Sequence, residues 1–258
     1  MDRATGTWRP GAVVWREAAT TDLERTTAFY SGLFGWTHHD SPGGMGVYRH
    51  FEAGGVSVAG GWQIPPSMAG VPTSWTCYIS VPDPDAAAAA ATAHGGRIVM
   101  GPMDIPDVGR SVIVADPTGA VVSLFRDAKG DMPASAGFPP PGTFCWETLT
   151  TTDKAAAIAF YQAVVGFKTQ DFHGHVTLNA SDAPMSGVAD VGDAPPGVPS
   201  HWMSHVVVTD LAASRDRAAA LGGTVLMPAI AIPETGTMAV IRDPLGAVIS
   251  LFEPLPRA

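Results

Sequence analysis

Residues 15–36, WREAATTDLERTTAFYSGLFGW, return at residues 146–167 as WETLTTTDKAAAIAFYQAVVGF, 131 positions later. Trp15, Asp22, Phe29, Tyr30 and Gly35 are matched by Trp146, Asp153, Phe160, Tyr161 and Gly166. Further out, a second block repeats at an offset of 127. Trp75, Asp83, Gly95-Gly96, Asp116-Pro117, Gly119 and Ser123-Leu124-Phe125 return as Trp202, Asp210, Gly222-Gly223, Asp243-Pro244, Gly246 and Ser250-Leu251-Phe252. The offset falls by four, so the second copy is four residues shorter between the two blocks. A period near half the chain marks a duplicated domain and not a solenoid of short units. The 258 residues therefore divide into a domain at 1–128, a linker at 129–142 (rich in Pro, Gly and Ala) and a second domain at 143–258.

Each copy divides again. Ala12–Ala18 alternates as a strand does, Asp22 supplies a helix N-cap, and Leu23, Thr27, Tyr30 and Phe34 follow at helical spacing. Three short strands are expected near Trp36–His39, Val47–Glu52 and Val56–Ala59, separated by Gly-rich turns. The second half repeats the plan: a strand at Trp75–Val81, a cap at Asp83 or Asp85, and a helix at Ala86–His94 stopped by Gly95-Gly96. Strands then fall near Arg97–Met100, Ser111–Ala115 and Val121–Phe125, the last two joined by the turn Asp116-Pro117-Thr118-Gly119. The unit is βαβββ, present four times. The fold class is α+β, with curved mixed sheets carrying helices on their outer face and leaving the other face free for a small molecule.

Composition narrows the function classes. The net charge of −9 disfavours nucleic acid and anionic membrane as partners and mildly favours cationic or neutral ligands. No apolar run approaches the length of a membrane span, and MDRATGTWRPG lacks the apolar core of a secretory leader, so the expected location is the cytoplasm. Cys77 and Cys145 lie in apolar strand-like runs and are expected to be free thiols. The expected state is a monomer or homodimer.

Four βαβββ modules, with D-x-x-x-x-x-x-F-Y on the first helix and D-P-x-G-x-x-x-S-L-F at the end, resemble the vicinal oxygen chelate superfamily. That superfamily holds glyoxalase I, extradiol dioxygenases, fosfomycin-resistance enzymes and bleomycin-resistance proteins. The likeness runs from about Gly11 to Glu253 and is greatest to two-domain actinobacterial members described as glyoxalase-like or as hydroxylases. It implies a divalent metal on the open sheet face, held by His, Gln or Glu from the first strand of a module and Glu from the last. Those positions fall on Trp15 and Trp146, on Thr76 and Met203, and on Ser123 and Ser250. None is a usual ligand, so no metal and no other cofactor is expected. A two-residue slip of register keeps the same face and would bring in Glu17, His201 or His205 instead.

Strand parity assigns Trp15, Glu17, Thr76, Tyr78, Ser123 and Phe125 to the open face of the first copy. It assigns Trp146, Thr148, Met203, His205, Ser250 and Phe252 to that of the second. Both sets are aromatic or soft, with a few polar handles, the chemistry of a pocket for a flat aromatic ligand. The alternative is that each tryptophan fills a core. Trp75 and Trp202, of opposite parity, are the better core candidates, while Trp8 and Trp62 are expected in or near loops. Tyr30 and Tyr161 are expected to be structural, and His173-x-His175 shares a strand face.

The expected function is metal-independent binding of a hydrophobic aromatic natural product, such as an anthracycline-type polyketide with a cationic sugar. Its purpose would be sequestration, self-resistance or support of a biosynthetic pathway. The alternative is a tailoring enzyme, a glyoxalase-like lyase or isomerase or a hydroxylase, with Glu17, Tyr78 and His205 as acid and base. A secreted or regulatory interaction protein is a third class compatible with the resemblance.

Overall fold

Four Asp residues, one per module, start the four helices. Asp22, Asp83, Asp153 and Asp210 each sit in extended backbone and accept a hydrogen bond from a backbone N–H of the first turn. Such a cap stabilises a helix start by about 1 kcal/mol. The computed structural model describes residues 8–131, 138–172, 175–180, 189–193 and 196–256. His173 lies outside the described residues.

The first module comprises β1 (Val13–Thr20), α1 (Leu23–Phe34), β2 (Thr37–Gly43), β3 (Gly46–Ala53) and β4 (Val56–Gln63). The second comprises β5 (Ser74–Ser80), α2 (Pro84–Ala93), β6 (Arg97–Ile105), β7 (Gly109–Ala115) and β8 (Val121–Asp127). In the third are β9 (Phe144–Thr151), α3 (Lys154–Val165), β10 (Lys168–Phe172), β11 (His175–Asn179) and β12 (Ala189–Asp193). The fourth holds β13 (His201–Val207), α4 (Leu211–Ala220), β14 (Thr224–Ile232), β15 (Gly236–Arg242) and β16 (Val248–Pro254). The strand orders are β2-β3-β4-β1-β5-β8-β7-β6 and β10-β11-β12-β9-β13-β16-β15-β14. In every module the first strand runs parallel to the last, the pairing that a helical crossover permits. The architecture is thus the expected four βαβββ modules. β4 runs on to Gln63, so Trp62 stands inside a strand and not in a loop. Its backbone is held by pairing on both sides, to Tyr48 of β3 and Ala19 of β1.

By their contacts the residues form two compact units. One contains Met1–Trp15, Thr76–Ala136 and Trp146–Trp202, the other Arg16–Trp75, Gly137–Cys145 and Met203–Ala258. The first unit combines the second and third modules, with α2 touching α3 over a core of Ile79, Val112, Val114, Leu124, Leu149, Phe160 and Tyr161. The other combines the first and fourth, with α1 touching α4 over Phe29, Tyr30, Phe51, Val206, Ile241, Ile249 and Leu251.

Residues of the sequence repeat make these combinations. In one unit Trp75 Nε1 donates to Tyr30 Oη at 2.7 Å, and Tyr30 Oη donates to Asp243 Oδ2 at 3.1 Å. Asp243 Oδ1 meanwhile accepts the backbone N–H groups of Leu245 and Ala247, closing its own turn. In the other unit Trp202 Nε1 donates to Tyr161 Oη at 2.7 Å, and the Asp116 charge lies beside that tyrosine. The Gly-Gly pairs serve the same packing. Gly95 and Gly222 end their helices at φ 83° and 88°, conformations that suit glycine. A Cβ on Gly96 would stand 2.6 Å from the Phe160 ring, and one on Gly223 would stand 3.0 Å from the Phe29 ring. The second glycine of each pair therefore lets a phenylalanine of the other copy approach the backbone.

Burial, reinforced by Asp243 and Asp116, holds the phenols of Tyr30 and Tyr161 well above their ordinary pKa. A group whose pKa is raised on folding stabilises the fold below its unfolded value and loses that contribution as pH rises. We expect urea stability to fall above about pH 10 and neither tyrosine to ionise before unfolding, read by absorbance. Tyr30→Phe strands the Trp75 N–H and one Asp243 oxygen. It should cost about 1–3 kcal/mol per stranded group, and a urea midpoint unchanged by the substitution would refute the role given to this tyrosine.

Candidate functional site

On the four-stranded runs one face packs on the helices and the other, termed the open face, points away from them. Ile79, Leu124 and Val112 are registered across β5, β8 and β7 and belong to the core, so their neighbours Tyr78, Ser123 and Ile113 point the other way. Tyr78 meets Phe125 edge-on with ring centroids 5.8 Å apart, and Ser123 Oγ bonds Ser111 Oγ at 2.8 Å. Phe125 lies over Gly109, where a Cβ would come within 2.9 Å of the ring. Tyr78, Ser123 and Phe125 are all buried on this face.

The fourth module repeats this geometry with different chemistry. His205 is registered with Ser250, and Phe252 with Met238. Phe252 lies over Gly236 as Phe125 lies over Gly109, and the Phe138 ring packs against it at 6.2 Å. Met203, His205, Ser250 and Phe252 are all buried. Burial lowers the His205 imidazole from 6.5 to about 4, so it is neutral at physiological pH. Its backbone carbonyl accepts a hydrogen bond from Cys145 Sγ at 3.6 Å. Cys145 and Cys77 are both free thiols.

Glu17 lies on the open face of the first module, where Trp62 Nε1 donates to its Oε1 at 2.7 Å. Trp15 and Trp146 are half-buried strand residues of β1 and β9, as are Thr76 of β5 and Thr148 of β9. Trp75 and Trp202 are core residues tied to Tyr30 and Tyr161. The three acid–base candidates stand on separate strand pairs: Glu17 on β1 beside β4, Tyr78 on β5 beside β8, and His205 on β13 beside β16.

A divalent ion requires several N, O or S donors converging at about 2.0–2.6 Å. Ser123 and Ser250 are fully buried and engaged in hydrogen bonds, Ser250 with the Leu251 carbonyl at 3.4 Å, and Met203 and the tryptophans offer no donor of the required kind. Among the described residues no group of three or more His, Cys, Asp or Glu side chains is placed to hold a metal. The residues at the family's chelate positions do not fit one. Among the described residues, too, no helix is long and apolar enough to cross a membrane.

One part of the open face escaped sequence reasoning. Tyr48 and His50 of β3, with His39 of β2, form a ring strip beside Glu17 and Trp62. Tyr48 meets His50 edge-on at 5.0 Å, and His50 stacks on His39 at 4.6 Å. The period-two pattern Tyr48-x-His50-x-Glu52 carried the signal, masked by the absence of a counterpart in the second copy.

This geometry is that of a vicinal oxygen chelate protein, and the chain belongs to the Glyoxalase/Bleomycin resistance protein/Dioxygenase superfamily, which it matches over residues 12–124. Residues 146–252 match a glyoxalase-like domain. The chain is 37% identical over 258 residues to CFP32 of Mycobacterium tuberculosis, which carries a provisional glyoxylase name, with 97% of each chain covered. It is 32% identical over 275 residues to the anthracycline biosynthesis protein DauV of a Streptomyces species, with 96% of each covered. DnrV of Streptomyces peucetius, also an anthracycline biosynthesis protein, is 33% identical over 95% of this chain and 94% of its own. Among solved structures, the Mn(II)-bound glyoxalase of Novosphingobium aromaticivorans superposes with a TM-score of 0.64 at 17% identity, covering 96% of this chain and 83% of that one. The 2,3-dioxygenase LapB of Pseudomonas sp. KL28 gives 0.62 at 16%, covering 97% and 93%. At these identities the structures share the fold.

The neutral state of His205 is open to direct test. Its pKa is depressed on folding, so its contribution to stability is complete above pH 6.5 and is lost as pH falls towards about 4. His205→Gln should flatten the acid side of the stability profile between those values. An NMR titration in which His205 protonates near 6.5 would refute its desolvation.

Proposed function

We propose that the protein binds a planar, hydrophobic aromatic small molecule of natural-product metabolism without a divalent metal, for sequestration, self-resistance or support of a biosynthetic pathway. The observation that carries this reading is the content of the chelate positions: two tryptophans, a threonine, a methionine and two buried serines. Around them the open faces supply Tyr78 with Phe125 and Met203 with Phe252, rings and soft side chains that suit a flat apolar partner. The relationship to the anthracycline biosynthesis proteins DauV and DnrV supports a polycyclic aromatic ligand. Two domains on one scaffold allow one ligand or two.

The second reading is a tailoring enzyme, favoured by His205. Its imidazole is neutral and can accept a proton, although burial makes it a weak base, and Glu17 and Tyr78 supply further acid–base groups on other strands. Under this reading the ligand would return chemically altered.

Titration of the protein's tryptophan fluorescence with an anthracycline, followed by mass spectrometry of the recovered ligand, separates the two. Binding should quench the emission and return the ligand unmodified. Ring stacking contributes about 0.5–1.5 kcal/mol beyond area burial, so losing both the stacking and the buried surface of the ring in Trp15→Ala or Trp146→Ala should weaken binding by about ten- to a hundredfold. If both variants lose stability but neither changes affinity, the tryptophans are packing residues. Elemental analysis should find no stoichiometric metal, and chelator should leave Tm unchanged. One equivalent of Zn, Ni, Fe or Mn retained through gel filtration would overturn the metal-independent part of the proposal.

A further inference from the structure

The open face of the first module carries polar chemistry that the aromatic-binding reading does not use. Glu17, Gly60 and His50 are registered across β1, β4 and β3, and Gly60 contributes no side chain between the other two. The neighbouring row is Ala19, Trp62 and Tyr48. Trp62 reaches diagonally to Glu17, so an indole ring and a carboxylate are held together at 2.7 Å. The strip continues through Tyr48 to His50 and His39. His50 Nε2 is paired with Ser41 Oγ at 2.9 Å, and His39 Nδ1 with Glu52 Oε1 at 2.9 Å. Those two pairs tie the histidines into the strip.

We propose that Glu17, Trp62 and Tyr48 form a recognition site for a protonated amine carried by the aromatic ligand. An indole N–H can only donate, so it fixes the position of one acceptor oxygen of Glu17. An ammonium carries three donors and no acceptor and is drawn both to a carboxylate and to the faces of Trp and Tyr rings. A neutral or anionic group would gain less here. The counterpart of Glu17 in the second copy is Thr148, which is uncharged, so that position supplies no carboxylate. The overall charge of −9 favours the approach of such a ligand. This inference rests on the proposed aromatic binding and adds to it the charge of the ligand and the residues that read it.

A matched pair of probes tests it: an anthracycline glycoside with a free amino sugar, and the same glycoside N-acetylated. Wild-type protein should bind the amine about tenfold or more tightly over the acetamide, and added salt should weaken only the amine. Glu17→Gln should reduce the preference, read as the ratio of the two affinities, to about twofold or less, and Glu17→Asp should retain part of it. Trp62→Phe, which keeps a ring but removes the N–H, should erode the preference with acetamide affinity little altered. If both probes bind wild-type protein equally, or if Glu17→Gln folds and keeps the preference, the amine site is wrong and aromatic binding stands. If Glu17→Gln does not fold, the salt response of the wild type and the Glu17→Asp and Trp62→Phe titrations decide. If neither probe binds, the aromatic-binding reading falls and takes this one with it.

Discussion

A buried phenol that must satisfy two partners at once organises each compact unit. Tyr30 accepts the Trp75 N–H and donates to Asp243, so a helix of the first module, the strand that follows it and a turn of the fourth are fixed by one oxygen. Tyr161 stands in the same relation to Trp202, with Asp116 alongside. Satisfying such a group contributes about 1 kcal/mol, but leaving any member unpaired in the core costs more, so the arrangement tolerates little displacement. Because Asp243 also closes the turn before β16 and Asp116 the turn before β8, the strands that carry Ser250 and Phe252, and Ser123 and Phe125, are anchored through these carboxylates.

The consequence for function is a division of labour between sheet faces. Core side chains such as Ile79, Leu124, Ile249 and Leu251 lie on the face that packs on the helices, which frees the opposite face to change. That freedom shows where the copies differ: Glu17 against Thr148, Thr76 against Met203, and Tyr78 against His205. The core positions Tyr30 and Tyr161, Trp75 and Trp202, and Phe29 and Phe160 are unchanged. The glycines beneath Phe125 and Phe252 bring each ring down onto the backbone and so restrict its orientation.

Much of this was legible from alternation and repetition. The caps, the helix-ending glycines, the parity of Tyr78, Ser123 and Phe125, and the core placing of Trp75 and Trp202 follow from local rules that act within a few residues. Trp62 was not legible, because a tryptophan directly after Gly60-Gly61 reads equally as loop or strand until its neighbours on both sides are known. Nor was the His39–His50 stack, since residues eleven apart meet only through the register of a hairpin.

The sequence by itself determined that the chain is a duplication of paired βαβββ modules and which face of each strand is apolar, because both are written in periodicities that one chain carries alone. Tertiary structure decided which modules share a core, that the second glycine of each Gly-Gly pair is there for a phenylalanine of the other copy, and that Glu17 is met by Trp62. It also decided that His205 is dry enough to stay neutral. Those outcomes depend on contacts between residues far apart in the chain and on the loss of water around them. Local pattern does not encode such contacts, and burial sets the charge state of a group only once its neighbours are in place.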